Sequence, residues 1–205
     1  ALECSKITQK LKPDWLIVDH YFIDKQWELI LKRNNLQLMV IDDLANREHE
    51  CEVLLDQNYY VNMESRYDGL IPEHCTKFIG PQYLLLRKEF DVALNSQAKR
   101  DGSVKRIFVF FGGGDASNET IKFLRSLPLL KEYTITVDVV VGQSNVDQNE
   151  IRSLIEKMPS VTFHCQINNI AELMMQADLA VIAAGGTIWE ACYLSLPAIT
   201  IMTAD

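Results

Sequence analysis

Residues 177–202 read ADLAVIAAGGTIWEACYLSLPAITIM, and the order of residue types inside that stretch sets the fold class. An apolar run at 179–183 breaks at Gly185 and Gly186. A helix-like run carrying Glu190 follows behind Thr187, and Pro197 opens a second apolar run. Strand, tight turn, helix and strand in that order make a β-turn-α-β unit, because short apolar runs bounded by glycine or proline suit buried parallel strands. Glycines at such a turn let backbone N–H groups come close to an anion, and the positive end of the next helix faces the same place. A phosphate suits that position. Glu190 sits one turn into the helix, where its carboxylate would accept hydrogen bonds from two neighbouring sugar hydroxyls. The same residues also make a plain structural turn with Glu190 favoured by the helix dipole, and a Gly-Gly turn alone does not separate the two readings.

The alternation extends toward the amino terminus. Residues 106–111 (RIFVFF) read as a strand followed by Gly112, Gly113, Gly114 and Asp115, with a helix from about Ser117. Strands at 134–141 and 161–164 and helices at 148–157 and 169–176 complete the pattern, which predicts a parallel, doubly wound sheet. Further back, a helix at 2–11 is stopped by Pro13. Buried strands are expected at 15–18 and 36–41, with a helix between them capped by Asp24, and a short strand is expected at 53–55. These three runs end in Asp19-His20-Tyr21, Asp42-Asp43 and Asp56-Gln57-Asn58. Residues 59–81 are rich in turn formers, and only Phe78 and Ile79 suggest another strand. Residues 83–90 (YLLLRKEF) carry charges at helical spacing, and 95–103 (NSQAKRDGS) reads as a linker. The organisation expected is therefore an α/β domain at 1–94, a linker at 95–103 and a second α/β domain at 104–205, each Rossmann-like with a parallel sheet.

Composition narrows the function. A chain of 205 residues with a formal charge of −8 lacks the basic face that nucleic acid or an anionic membrane would demand, so neither is expected as a partner. Five cysteines without a C-x-x-C pair suggest neither a disulfide framework nor a zinc ribbon, and a reducing cytoplasm is the expected compartment. The chain begins without Met inside a helix-like run and stops after an apolar run. A doubly wound domain ordinarily opens on a strand and closes with helices over both sheet faces, so truncation at both ends is expected.

FFGGGDASN is a second candidate for phosphate work, since three glycines free the backbone to form a nest of N–H groups and Asp115 or Ser117 can cap the helix. It lacks the Gly-Lys-Ser/Thr of a Walker loop and the GxGxxG order of dinucleotide binders. Two glycine turns at strand ends of one sheet can converge on one diphosphate. Asp19, His20, Asp42, Asp43 and His49 include metal-ligand types but show no diagnostic spacing, so capping and turn roles are expected, with no metal and no cofactor. The tryptophans Trp15, Trp27 and Trp189 fall in apolar runs and suit core or interface. No nucleophile motif is present.

Taken together, DWLIVDHY, IDD at 41–43, LLDQNYY, YDGLIP, GPQYLLLRKEF, FFGGGD and AAGGTIWEA resemble sugar-nucleotide enzymes of the two-domain glycosyltransferase-B fold. Within that fold they resemble the UDP-2,4-diacetamido-2,4,6-trideoxy-β-L-altropyranose hydrolase family of pseudaminic acid synthesis, which serves bacterial flagellin glycosylation. The resemblance implies a small-molecule UDP-sugar as partner. It also implies water attack on the anomeric carbon with inversion, releasing UDP, which needs a general base for water and support for the departing diphosphate. It places the sugar side in the first domain, with Tyr21 lining the sugar pocket, and the base on a histidine of a G-x-G-H loop expected upstream of residue 1. These 205 residues are therefore expected to turn over little on their own. An active-site asparagine is expected just beyond Asp205. For UDP the resemblance implies Glu190 on the ribose and the backbone of Gly185, Gly186 and Thr187 on the diphosphate, with Gly113 and Gly114 nearby. Uracil is expected against the backbone of Ile167 and the side chain of Ile170. A glycosyltransferase of the same fold and a noncatalytic sugar-nucleotide binder are the alternatives.

Overall fold

The computed structural model describes residues 1–32, 36–94 and 100–203. Two compact units divide the chain between Leu85 and Leu86. Of the expected linker, residues 95–99 lie outside the described residues, while Arg100 is fastened into the second unit. Its guanidinium donates to the carbonyls of Met174, Ala177, Leu194 and Ser195 at 3.0–3.4 Å. Residues 86–94, which the sequence groups with the first domain, lie in the second unit.

The first unit runs α1 (Leu2–Leu11), β1 (Trp15–Asp19), α2 (Lys25–Lys32), β2 (Gln37–Ile41), β3 (Val53–Asp56) and β4 (Thr76–Ile79). Its four strands are parallel and lie in chain order. Asp24 does cap α2: its Oδ1 accepts the N–H groups of Gln26 at 3.1 Å and Trp27 at 3.3 Å, which satisfies donors that a helix start leaves without partners. Val18, Leu38, Val40, Leu54 and Ile79 form the core with Leu31 of α2 and Tyr67. The expectation of a buried strand at 15–18 is corrected. Leu16 and Val18 turn toward that core, but Trp15 is 48 % and Ile17 61 % exposed, because β1 is an edge strand whose alternate side chains point away from the core.

The segment that the sequence left unplaced closes over the carboxyl ends of β2 and β3. Tyr67 is fully buried, and its hydroxyl lies 2.9 Å from the Asp42 carbonyl, 3.0 Å from Asp42 Oδ2 and 3.2 Å from Asp56 Oδ2. The Arg66 guanidinium stacks 3.4 Å over the Tyr60 ring and donates to the Asp43 carbonyl at 2.8 Å.

The second unit runs α3 (Lys88–Leu94), β5 (Arg106–Phe110), α4 (Glu119–Ser126), β6 (Thr136–Val141), α5 (Gln148–Ile155), β7 (Val161–Cys165), α6 (Ile170–Gln176), β8 (Leu179–Ala183), α7 (Thr187–Tyr193) and β9 (Ala198–Ile201). The helical spacing read at 83–90 holds only from Lys88. Residues Pro81–Tyr83 form a 3-10 turn, Leu84 is extended (φ −58°, ψ 128°), and the Leu85 N–H is taken by Gln57 Oε1 at 3.0 Å instead of a helical carbonyl. The five parallel strands are ordered β7-β6-β5-β8-β9. Phe108, Val140, Ala180 and Ile182 pack one face against α3, α6 and α7. Val109, Val137, Val139 and Val181 pack the other against α4 and α5. β9, expected to be buried, is an edge strand with Ile199 51 % exposed. This is a doubly wound layer sandwich.

Candidate nucleotide site

The strand order of the second sheet reverses between β5, which leads outward to β6 and β7, and β8, which starts the other side. At such a reversal the connections leave in opposite directions, so a crevice opens outside the carboxyl ends of the two central strands. Both glycine turns fall there, Gly112 to Gly114 after β5 and Gly185-Gly186 after β8. A cavity of about 260 Å³ is lined by Gly113, Ile167, Ile170, Thr187 and Glu190, and by Arg87, Phe110, Gly142 and Gln166. Five of the residues singled out from sequence thus meet. Gly114, Gly185 and Gly186 belong to the same two turns without lining the cavity. Tyr21 belongs to the other unit.

The two turns are built differently. Gly112 has φ 85°, a backbone conformation that glycine adopts without strain. Asp115 then accepts the N–H groups of Glu119 and Thr120, both at 2.9 Å, so the start of α4 is closed by its own side chain. α7 has no side-chain cap; the Ile188 and Trp189 N–H groups instead reach back to the carbonyls of Gly185 and Gly186, both at 3.0 Å.

A glycine at a third strand end completes the floor. A Cβ on Gly142, directly after β6, would lie 2.5 Å from Gly113 Cα and 2.6 Å from Gly113 O, so the two backbones touch and only glycine fits. The Gln148 amide donates to the carbonyls of Gly142 at 3.2 Å and Gln143 at 3.0 Å, and Gln166 Oε1 accepts the Gln143 N–H at 3.2 Å. The sequence reading passed over Gly142, although a glycine at a third strand end was the available signal.

Glu190 and Arg87 carry the charge. The Glu190 side chain is 19 % exposed, and its burial raises the carboxyl pKa while the Arg87 guanidinium pulls the other way. Arg87 Nη2 lies 3.4 Å from Glu190 Oε1, and Nη1 lies 2.7 Å from Glu89 Oε1. Arg87 went unnoticed in the sequence because it stands 103 residues from Glu190, alone in a run that reads as helix. Ile170 is 6 % exposed and belongs to the core cluster that Ile167 packs against, so both residues support the sheet as well as bordering the cavity.

The first unit has its own pocket of about 240 Å³ at the carboxyl ends of β1, β2 and β3, lined by Asp19, Tyr21, Asp42, Asp43, Gln57 and Asn58 among others. Asp43 foremost, then burial, raises the pKa of the Tyr21 phenol. Three of the metal-ligand types noted in this half have partners within the protein. Asp42 pairs with Arg47 at 2.7 Å and accepts the Ala45 N–H at 2.9 Å, His49 is buried against Glu28 at 2.7 Å, and His20 Nδ1 accepts the Phe22 N–H at 3.1 Å. Among the described residues no group of three side chains is arranged to hold a metal ion, and no helix is long and apolar enough to cross a membrane.

Residues 106–205 match the glycosyltransferase family 28 C-terminal domain. The second unit carries that domain. The family 28 domain begins at β5 and spans both glycine turns, Gly142 and Glu190, while Arg87 stands outside it. The chain is 27 % identical over 195 residues to the UDP-2,4-diacetamido-2,4,6-trideoxy-beta-L-altropyranose hydrolase of Campylobacter jejuni, covering 94 % of this chain and 67 % of that protein. It is 29 % identical over 203 residues to an uncharacterized protein of Methanocaldococcus jannaschii, covering 96 % of this chain and 42 % of that one. The resemblance read from the motifs is thereby supported at the level of the family. The crystal structure of Acinetobacter baumannii MurG superposes with a TM-score of 0.53 at 14 % identity, covering 98 % of this chain and 56 % of that one. With two all-parallel sheets, this likeness gives the chain a Rossmann-like, glycosyltransferase-B type fold. The similarity to the C. jejuni hydrolase relates the chain to proteins that act on sugar nucleotides.

Proposed function

We propose that the chain works in a UDP-sugar hydrolase that releases UDP and a free 2,4-diacetamido-2,4,6-trideoxy sugar, supplying a cytoplasmic, bacterial route to pseudaminic acid and flagellin glycosylation. The observation that carries the nucleotide part is the cavity at the β5/β8 reversal, with Glu190 and Arg87 on its wall. The Glu190 carboxylate accepts hydrogen bonds from both ribose hydroxyls. Backbone N–H groups of Gly113, Gly114, Gly185, Gly186 and Thr187 surround the diphosphate, with Arg87 as its counter-charge. Uracil rests against the Ile167 backbone and the Ile170 side chain. Tyr21, in the polar pocket of the first unit, is assigned to the sugar. The identity of that sugar rests on the similarity to the C. jejuni hydrolase.

In this reaction water adds to the anomeric carbon as the C–O bond to the diphosphate breaks, so configuration inverts and UDP leaves. What the cavity contributes is stabilisation of the charge that grows on the departing diphosphate, through fixed N–H dipoles and a guanidinium already in position. Calorimetric titration with UDP tests the ribose assignment. Hydrogen bonds to charged groups contribute about 1.5–3 kcal/mol, so Glu190→Ala is expected to weaken binding about 10- to 100-fold, and an unchanged affinity ends that assignment. NMR of the full-length gene product with donor and no acceptor tests the reaction. Free sugar of inverted configuration is expected, whereas intact donor that is consumed only when an acceptor is added favours a glycosyltransferase. UDP binding with no turnover in either case favours a noncatalytic binder.

A further inference from the structure

Cys51 and Cys75 stand two residues before β3 and one residue before β4, at the amino ends of neighbouring strands. Their sulfurs are 3.6 Å apart, and the Thr76 N–H to Glu52 carbonyl bond of 2.9 Å ties the flanking backbone together. A disulfide needs about 2.05 Å between sulfurs, so a small approach closes it, and β4 is an edge strand with one side free to yield. Cys51 is buried and Cys75 half-buried. We propose that these two residues are a reversible dithiol, oxidised by a peroxide to an intramolecular disulfide that staples β3 to β4.

The two thiols differ in the way such chemistry requires. A hydrogen bond from Cys51, with help from Lys32, lowers the pKa of Cys75 against the opposing effects of burial and Glu52. The contact with Cys75, then burial, raises that of Cys51. The thiolate is the nucleophile. The Cys75 sulfur therefore attacks one peroxide oxygen, the O–O bond breaks, and a sulfenic acid forms with loss of water. The Cys51 sulfur then displaces the sulfenic oxygen as a second water, giving the S–S bond. Two thiols lose two electrons and two protons in total, and hydrogen peroxide is reduced to two waters. In a reducing compartment such a pair is transient and responds to oxidant load. The pair lies at the opposite strand ends from the Tyr21 pocket.

The test uses the Cys4→Ser/Cys165→Ser/Cys192→Ser protein, treated with hydrogen peroxide, alkylated and mapped by mass spectrometry. The expected result is a loss of two hydrogens and a single peptide pair joining Cys51 to Cys75, both reversed by dithiothreitol. In the additional Cys51→Ser variant, Cys75 is expected to gain oxygen instead. Should that variant fail to fold, the peptide map of the parent protein decides by itself. Recovery of Cys51 and Cys75 as alkylated thiols or separate oxygen adducts, with no cross-link, overturns the proposal.

Discussion

The carboxyl ends of the two sheets hold pockets of nearly equal size, about 240 Å³ in the first unit and about 260 Å³ in the second, with opposite chemistry. In the first unit the strands run out into Asp19, Asp42 and Asp56, and the protein itself uses two of those carboxylates, through Arg47, Ala45 and Tyr67. In the second unit they run out into glycines, and the charged groups are a guanidinium and a half-paired carboxylate. Like charges about 4 Å apart repel by roughly 1–4 kcal/mol between bulk water and a protein surface. A diphosphate is therefore disfavoured beside Asp19, Asp42 and Asp43 and favoured beside Gly113, Thr187 and Arg87. Carboxylates at the strand ends of the first unit hold their own chain, whereas the central strands of the second unit end in glycine turns, where the proposed diphosphate would sit.

The most damaging way to break this contrast is to give the second unit a side chain where backbone must touch backbone. Gly142→Ala places a methyl group 2.5 Å from Gly113 Cα. Overpacking of this kind costs about 1–3 kcal/mol of stability, and moving a binding turn by about 1 Å can cost on the order of 100-fold. UDP affinity by calorimetry is expected to fall about that far, with a modest loss in urea denaturation. Affinity unchanged in a folded Gly142→Ala protein removes Gly113 from the site.

Arg87→Ala is expected to be milder, about tenfold for one charge-assisted contact on a half-exposed side chain, and it sharpens the pH dependence. Glu190 must be ionised to accept two hydroxyl donors. Because its pKa is raised above the ordinary 4.5, UDP affinity is expected to be full at neutral pH and to fall on acidification from a higher pH than an ordinary glutamate would give. Arg87 is the group holding that pKa down, so its removal moves the midpoint up. A midpoint that stays put in Arg87→Ala separates Glu190 from binding.

How much of this was readable depended on whether the signal was local. Strands β5 to β8 carry compact apolar runs closed by glycine or polar residues, so their positions followed from pattern alone, as did the Asp24 cap. Glu190 was readable because it lies one turn behind its own glycines. Arg87 was not, since its partner is distant in sequence and its own neighbours suggested helix. Burial of β1 and β9 was misjudged because an apolar run looks the same in a central strand and at an edge. Residues 59–81 failed for a different reason. Tyr67 is held there by carboxylates from two strands, and no period in a turn-rich segment announces such a partner.

Tyr67→Phe is the smallest perturbation and the cleanest control, because it acts only on the closed end of the first unit. Removing the hydroxyl leaves Asp42 Oδ2 and Asp56 Oδ2 without that donor, at a cost of roughly 1–3 kcal/mol. Burial raises the Asp56 pKa above its ordinary 3.8, and Tyr67 is among the groups that hold it down, so in the variant it rises further. A carboxyl raised in the folded state holds its proton there while the unfolded chain has released it, and stability therefore declines as pH climbs from the unfolded to the folded value. The variant extends that decline upward. Its deficit is expected to be largest near neutrality and to shrink on acidification, as Asp56 takes up its proton in both proteins. Hydrogen exchange of the β2 and β3 amides at neutral and acidic pH reads this locally, and UDP affinity is expected to stay at the wild-type value. A loss of UDP binding in Tyr67→Phe would mean that the closed strand ends take part in holding the nucleotide, and the division of labour between the two sheets would fall.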